Sequence, residues 1–313
     1  MICRTLAEVE DYVTATGLDL AALSLIISEA LGEDLGGRGV LLSGTGAGLD
    51  VTSVATIPPD ATAHGEFVAR QPGTVAGLAV AAYTMATMCA PAGDFEIVVA
   101  AVDGQPVAVG DVLLRVSGNT RALLTAERVA LNLLTLMSGV ATATRSWVDA
   151  LSGTSARVRD SRKTVPGLRM LQKYAVRVAG GVNHRMCLAD AALIKDNHVI
   201  AAGGVVQAYQ AVRQAFPDIG VQVEVTSLNQ ARDVVAAGAT DILLDNMSLD
   251  AMTAVVAELA PKATFEASGG LTISTAAGVA ATGVNYIAVG AITHSAPVLD
   301  VALDLVTESE VIG

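Results

Sequence analysis

Hydrophobic and polar positions change rhythm several times along this chain. Residues 18–33, LDLAALSLIISEALGE, place apolar side chains at helical spacing and predict an amphipathic helix. Between 52 and 120 the pattern shortens to alternating runs broken by Gly and Pro: HGEFVARQPGTVAGL, FEIVVAAVDGQPV and GDVLLRVSGN. These predict antiparallel strands joined by turns. Helical periodicity returns over 120–150. After 150, strand, loop and helix alternate, with candidate strands ending near Asp160, Lys195, Glu224, Asp245, Ala267 and Val289, spaced 21 to 35 residues apart. That spacing suits successive βα units. Six such units in one direction predict a (β/α) barrel rather than an open sheet.

Composition agrees with an α/β protein. Of 313 residues, 52% are hydrophobic and only 3% aromatic, as expected where buried parallel strands are written in Val, Ile and Leu. No uninterrupted apolar run approaches the roughly 18 residues of a membrane span. Acids stand at the N-terminus where a signal peptide would need its apolar segment. Cys3, Cys89 and Cys187 are too widely spaced for a disulfide framework or a zinc motif, which points to the cytoplasm. The stretch GGRGVLLSGTGAGL, 36–49, has six glycines in fourteen positions and predicts a mobile loop.

Charge sharpens the picture. The chain carries a net charge of −12, yet nine of its nineteen Lys and Arg residues fall between Arg157 and Lys195, against two acids there, Asp160 and Asp190. A cationic island in an acidic protein suits a small, multiply charged anion. It is too narrow for nucleic acid.

A barrel gathers its chemistry at the C-terminal ends of its strands. Arg162, Lys163 and Lys195 fall at such ends, with His184 and Arg185 in the same basic segment. Arg offers a planar fork for a carboxylate and Lys a point charge, while His184 could equally be a structural histidine. Glu224 closes VQVEVTS and Asp245 closes DILLDNMS. Single carboxylates there are often helix caps, but two on neighbouring strands suit a magnesium ion held largely through water and substrate oxygens. The turns at Ser268-Gly269-Gly270 and Gly290 can hold phosphate on backbone N–H groups, or can simply be tight. Lys195 also occupies the position of a Schiff-base nucleophile. Arg128, in AERVALNLL, reads as a solvent-facing helix residue.

At these same residues the chain resembles the quinolinate phosphoribosyltransferases, type II phosphoribosyltransferases. DSRKTVPGLR, GGVNHR, AALIKDNH, VEV, ILLDN, SGGL and AVGAITHS occur in that family's order and spacing, and DVTS at 50–53 continues the match more loosely. The resemblance implies an N-terminal α/β sandwich over about 1–135, an incomplete (β/α) barrel over about 136–291, and a tail, 292–313, returning to the first domain. It implies transfer of phosphoribosyl from phosphoribosyl pyrophosphate to quinolinate with decarboxylation, a step of NAD synthesis using Mg²⁺. By the same resemblance Arg162, Lys163, His184, Arg185 and Lys195 surround quinolinate. Lys163, Glu224 and Asp245 are the catalytic set, Glu224 and Asp245 the metal ligands, and Ser268, Gly269, Gly270 and Gly290 the phosphate site. Arg128 reaches into a partner's site, so a homodimer is implied.

Three departures from the family pattern stand out. Ser161 replaces a threonine, Met186-Cys187 replace Leu-Gly where the packing behind Arg185 could change, and the 36–49 stretch is long. Competing readings are a paralogue acting on another acid such as nicotinate, a Schiff-base lyase using Lys195, and a non-catalytic anion-binding protein. Retention of a full cationic set for two carboxylates favours quinolinate.

Overall fold

The computed structural model describes residues 1–37 and 48–307, so most of the 36–49 stretch lies outside the described residues. Two compact units are present. The first comprises Met1–Thr142, Pro166–Ala179 and Ala296–Gly313, the second Ala143–Val165 and Gly180–Ser295.

The first unit is built on strands β1 (Ile2–Cys3), β2 (Thr62–Ala69), β4 (Glu96–Val99), β6 (Val112–Asn119) and β13 (Val301–Thr307), with β3 (Gly73–Thr74) and β5 (Pro106–Val107) forming a separate short ribbon. The main sheet runs β1-β4-β6-β2-β13, every neighbouring pair antiparallel. Alternation decides its faces: Ala63 and Phe67 of β2 are buried, while Glu66 pairs with Arg115 of β6 at 2.7 Å on the exposed side. Helices α1 (Leu6–Ala15), α2 (Leu20–Asp34), α3 (Val51–Thr56), α4 (Leu78–Cys89), α5 (Thr120–Ala150) and α6 (Arg169–Val178) follow in order. Thr5 and Glu8 form a capping box on α1, and Asp19 caps α2.

Two findings correct the sequence reading of this region. Residues 52–120 are not all strand, since they contain α3 and α4. Ten of the twelve residues of α4 are buried, so no polar stripe marks a helical period. The second correction concerns α6, which precedes the second barrel strand in sequence yet belongs to the first unit. Tyr174 of α6 donates to Asp103 at 2.6 Å, and Arg177 donates to the Thr16 carbonyl at 3.0 Å. Helix α5 is long and apolar enough to cross a membrane, but 61% of its apolar window is buried inside the protein.

The second unit is a six-stranded parallel sheet in the order β7-β12-β11-β10-β9-β8. Its strands are β7 (Arg157–Arg159), β8 (Ala192–Ile194), β9 (Val221–Val225), β10 (Asp241–Asp245), β11 (Thr264–Ser268) and β12 (Tyr286–Ala288). All six end at or within two residues of the positions read from the sequence. Beyond β7 a single parallel bridge joins Arg159 to Val182, and among the described residues β7 and β8 do not pair. The barrel is therefore incomplete. Helices α7 (Asp196–Ala202), α8 (Val205–Ala215), α9 (Leu228–Ala236), α10 (Leu249–Leu259), α11 (Ala276–Ala281) and α12 (Ala291–His294) connect or follow the strands. Ser227 and Ser248 cap α9 and α10 through their side chains.

Candidate active site

A cavity of about 670 Å³ opens at the C-terminal ends of the parallel strands. Arg162, Lys163, His184, Arg185, Lys195, Glu224, Asp245, Ser268, Gly269, Gly270 and Gly290 all line it. Arg128 does not: it lies on α5 in the first unit, its side chain 64% exposed.

The basic wall comes from two loops. After β7, Lys163 N–H donates to the Ser161 hydroxyl at 3.1 Å, and the Thr293 hydroxyl donates to the Lys163 carbonyl at 2.7 Å, which fixes the backbone that carries Arg162 and Lys163. Ser161 thus uses the hydroxyl it shares with the expected threonine. The second loop hangs on Asp160, which is fully buried and accepts from His184 N–H at 2.8 Å and from the Asn183 amide at 2.7 Å. Arg185 donates to the Ala191 carbonyl at 2.6 Å. Asp190 accepts the N–H groups of Met186 at 2.6 Å and Cys187 at 3.3 Å, while Cys187 itself is exposed. Its side chain is at the surface rather than packed in a core.

Like charges crowd this wall. Burial, and then the neighbouring Arg162, hold the Arg185 guanidinium below its usual pKa. The Nε atoms of Arg162 and Arg185 are buried without a protein hydrogen-bond partner. A bound carboxylate would answer both conditions, supplying opposite charge and acceptors in one group.

The opposite wall is acidic. Glu224 is pushed above the ordinary glutamate pKa by burial first and by the Asp245 carboxylate second, with Lys195 opposing and Asp196 adding to the rise. Asp245 accepts from the Asn246 side chain at 2.8 Å. Among the described residues no group of three or more metal-ligating side chains occurs. Two crowded carboxylates without a third ligand do fit magnesium, which keeps several waters and takes its remaining ligands from a substrate.

Glycine serves two different purposes at the phosphate-type turns. Gly269 and Gly270 have φ of 103° and 58°, in the left-handed region, so the tight-turn requirement is real there. Gly290 has φ of −65° and needs no special backbone. A Cβ on it would sit 2.9 Å from Lys163 Cδ, so its missing side chain is the space through which Lys163 crosses.

Sequence reasoning missed a layer beneath these residues. Glu266 of β11 is 1% exposed, lines the cavity and pairs with Arg159 at 2.7 Å; Arg159 also stacks over the Tyr286 ring at 4.1 Å. Gln222 of β9 donates to Asp241 at 3.1 Å and Glu266 at 3.3 Å and contacts His184 Nε2 at 2.8 Å. The available signal was a polar residue in the middle of buried runs, VQV and FEA. Asp196 and His294 line the cavity as well.

Comparison with known proteins finds one family along the chain. Residues 140–304 match the family model for the C-terminal domain of quinolinate phosphoribosyl transferase, and 50–138 that for its N-terminal domain. A nicotinate-nucleotide pyrophosphorylase [carboxylating] of Mycobacterium leprae (strain TN) is 49% identical over 261 residues, covering 82% of this chain and 92% of that one. A probable nicotinate-nucleotide pyrophosphorylase [carboxylating] of Bacillus subtilis (strain 168) is 38% identical over 268 residues, covering 85% and 90%. Among solved structures, NadC from Streptococcus pyogenes superposes with a TM-score of 0.85 at 35% identity, covering 93% of this chain and 98% of its own. The nicotinate-nucleotide pyrophosphorylase from Francisella tularensis gives 0.83 at 32% identity, covering 91% and 96%.

Proposed function

The chain belongs to the quinolinate phosphoribosyltransferase family, and on that premise we propose how its cavity performs the reaction. The enzyme transfers phosphoribosyl from phosphoribosyl pyrophosphate to quinolinate and releases carbon dioxide and pyrophosphate, giving nicotinate mononucleotide in de novo NAD synthesis. One observation carries the site assignment: crowded guanidinium groups with unpaired buried Nε atoms face a crowded carboxylate pair across a single cavity. The first half suits a dicarboxylate and the second a metal-bound polyphosphate.

Arg162, Arg185 and Lys195 bind the quinolinate carboxylates, with His184 beside them. Holding the pyridine nitrogen against the ribose C1 converts an encounter of two solutes into a step within one complex. Lys163 lies across Gly290, next to the turn that receives phosphate, and stabilises the charge that develops on departing pyrophosphate. Glu224 and Asp245 hold the ribose hydroxyls and would hold Mg²⁺, which supplies Lewis-acid charge at the leaving oxygens when bound. Nitrogen attack leaves a cationic pyridinium; as the C–CO₂ bond beside the nitrogen breaks, its electron pair stays on that ring carbon, stabilised by the adjacent positive nitrogen, and then takes up a proton from solvent. No covalent nucleophile is needed, so Lys195 acts as a carboxylate ligand. Arg128 enters the site of a partner chain, which makes the working unit a homodimer, and the reaction takes place in the cytoplasm.

Incubation of the protein with quinolinate, phosphoribosyl pyrophosphate and Mg²⁺ is expected to yield nicotinate mononucleotide and carbon dioxide in equal amounts, and omission of Mg²⁺ to suppress both. Equal use of nicotinate in place of quinolinate, without carbon dioxide, would refute the substrate assignment.

A further inference from the structure

His184 is read from the family resemblance only as a neighbour of the substrate carboxylates, with no statement of its charge. Its surroundings settle that. The N–H of Arg185 donates to His184 Nδ1 at 2.7 Å, so Nδ1 offers a lone pair and bears no proton. On the far side of the ring, Nε2 lies 2.8 Å from Gln222 Oε1. The orientation of that amide does not rest on choice, because its nitrogen faces two carboxylates, Asp241 Oδ1 at 3.1 Å and Glu266 Oε2 at 3.3 Å. A flipped amide would aim its carbonyl at both of them. The carbonyl must therefore face His184, and Nε2 must be the donor. The two sides of the ring specify the same tautomer.

We infer that Gln222 and Glu266 are positioning residues that lock His184 as a neutral, Nε2-protonated imidazole. Glu266 is itself anchored by Arg159 and helps orient the Gln222 amide, while its Oε1, buried and without a hydrogen-bond partner, stands 4.0 Å from His184 Nε2. Both ring nitrogens are thus engaged by the protein, and what the ring turns to the cavity is uncharged. The charge of a bound dicarboxylate is borne by Arg162, Arg185 and Lys195, and His184 contributes shape. A neutral ring suits a reaction whose pyridine becomes cationic, because an imidazolium beside it would oppose that change. The functional sense of this inference rests on the quinolinate reading, whereas the tautomer does not.

The test is a long-range ¹H–¹⁵N correlation spectrum of the full-length protein with ¹⁵N-labelled histidine, His184 being assigned by the signals that vanish in His184→Asn. One protonated Nε2 and one bare Nδ1 are expected at neutral pH, unchanged on saturation with quinolinate. A doubly protonated ring or the opposite tautomer in the free protein overturns the inference. Conversion to a doubly protonated ring only when quinolinate binds overturns the neutral face. Absence of any quinolinate binding would instead count against the substrate assignment, with the free-state spectrum still deciding the tautomer. In Gln222→Met the Nε2 proton loses its acceptor, so the His184 pattern should change, its Nε2–H shift moving and its exchange with water quickening, while the Arg185 N–H keeps Nδ1 bare and His64, His198 and His294 keep their patterns. The KM for quinolinate should then rise on the order of tenfold, more than kcat falls, as for a lost hydrogen bond behind a binding surface. An unchanged His184 pattern in that variant overturns the positioning role; if the variant does not fold, the wild-type spectrum alone decides.

Discussion

Glu224 shows how one residue reports on the whole cavity. Its carboxyl is disfavoured as an anion by burial and by Asp245, so its pKa lies above the usual glutamate value. A divalent cation between the two carboxylates requires both to be ionised and therefore competes with a proton at Glu224. The sign follows directly. Affinity for Mg²⁺ is expected to be full above the raised pKa and to fall as pH drops through it, beginning at a higher pH than an ordinary glutamate would give. Calorimetric titration with Mg²⁺ and phosphoribosyl pyrophosphate at stepwise lower pH should show this loss, with proton release growing as affinity falls. Affinity that is flat over the same range would remove Glu224 from the metal site. The arginine side of the cavity is disfavoured in the mirror sense, because burial first and Arg162 second weigh against the charge of Arg185.

Helix α4 makes the corresponding point at the scale of an element. Its N-cap residue, Gly77, has φ of 103° and no side chain to cap with. The cap comes from Asp103, whose Oδ1 accepts the N–H groups of Gly77 at 3.0 Å and Leu78 at 3.1 Å, while Oδ2 accepts the Tyr174 hydroxyl at 2.6 Å. One carboxylate therefore ties α4, the loop after β4 and α6 together. Burial raises its pKa, and these three donors oppose the rise. Asp103→Ala leaves two backbone donors and a phenol without their partner in a buried place. It should destabilise the first unit by about 2–3 kcal/mol, and Asp103→Asn, which keeps an acceptor for the helix N-terminus, by less. The midpoint of urea denaturation measures both; equal and negligible losses would show that water replaces the cap. Glycine acts at this scale as well. Gly139 of α5 faces the Pro297 carbonyl so closely that any Cβ would collide with it, which is how the C-terminal segment can lie against that helix.

At the scale of the whole molecule the proposed dimer makes a prediction about Arg128. Arg128 is exposed on α5 and does not line the cavity of its own chain. If a partner chain receives it, each active site needs Arg128 from one subunit and Lys163 from the other. Arg128→Ala and Lys163→Ala should then each be nearly inactive alone. After subunit exchange, half the dimers pair one variant with the other, and each of those carries one intact site. Activity should recover to about a quarter of wild type, as a shared two-fold interface requires. No recovery after verified exchange would place Arg128 outside the site. The chain's remaining acidity lies mostly outside the 157–195 segment, so an anionic substrate meets attraction in one place on a repelling surface.

The barrel and the charged groups at its mouth were legible in the sequence. Parallel strands buried on both faces are written as short apolar runs, and Lys195, Glu224, Asp245 and Ser268 stand where those runs end, so order along the chain reproduces order around the mouth. The long helix of 120–150 announced itself through its polar stripe. Other features depended on residues far apart in sequence meeting in space. Helix α4 has no stripe because the fold covers it on all sides, and its cap, Asp103, lies beyond the helix on a separate loop. α6 belongs with the first unit because Tyr174 finds that same carboxylate. Gly290 reads as a turn that holds phosphate or is simply tight, and the clearance it gives Lys163 is visible only in the structure. The Nε2 side of His184 is held by Gln222, 38 positions away on β9, whose amide is oriented by Asp241 and Glu266 on β10 and β11. Local pattern specifies which elements form because it records which faces are buried. It cannot specify which buried polar groups meet, since that is decided only when the strands take their places side by side.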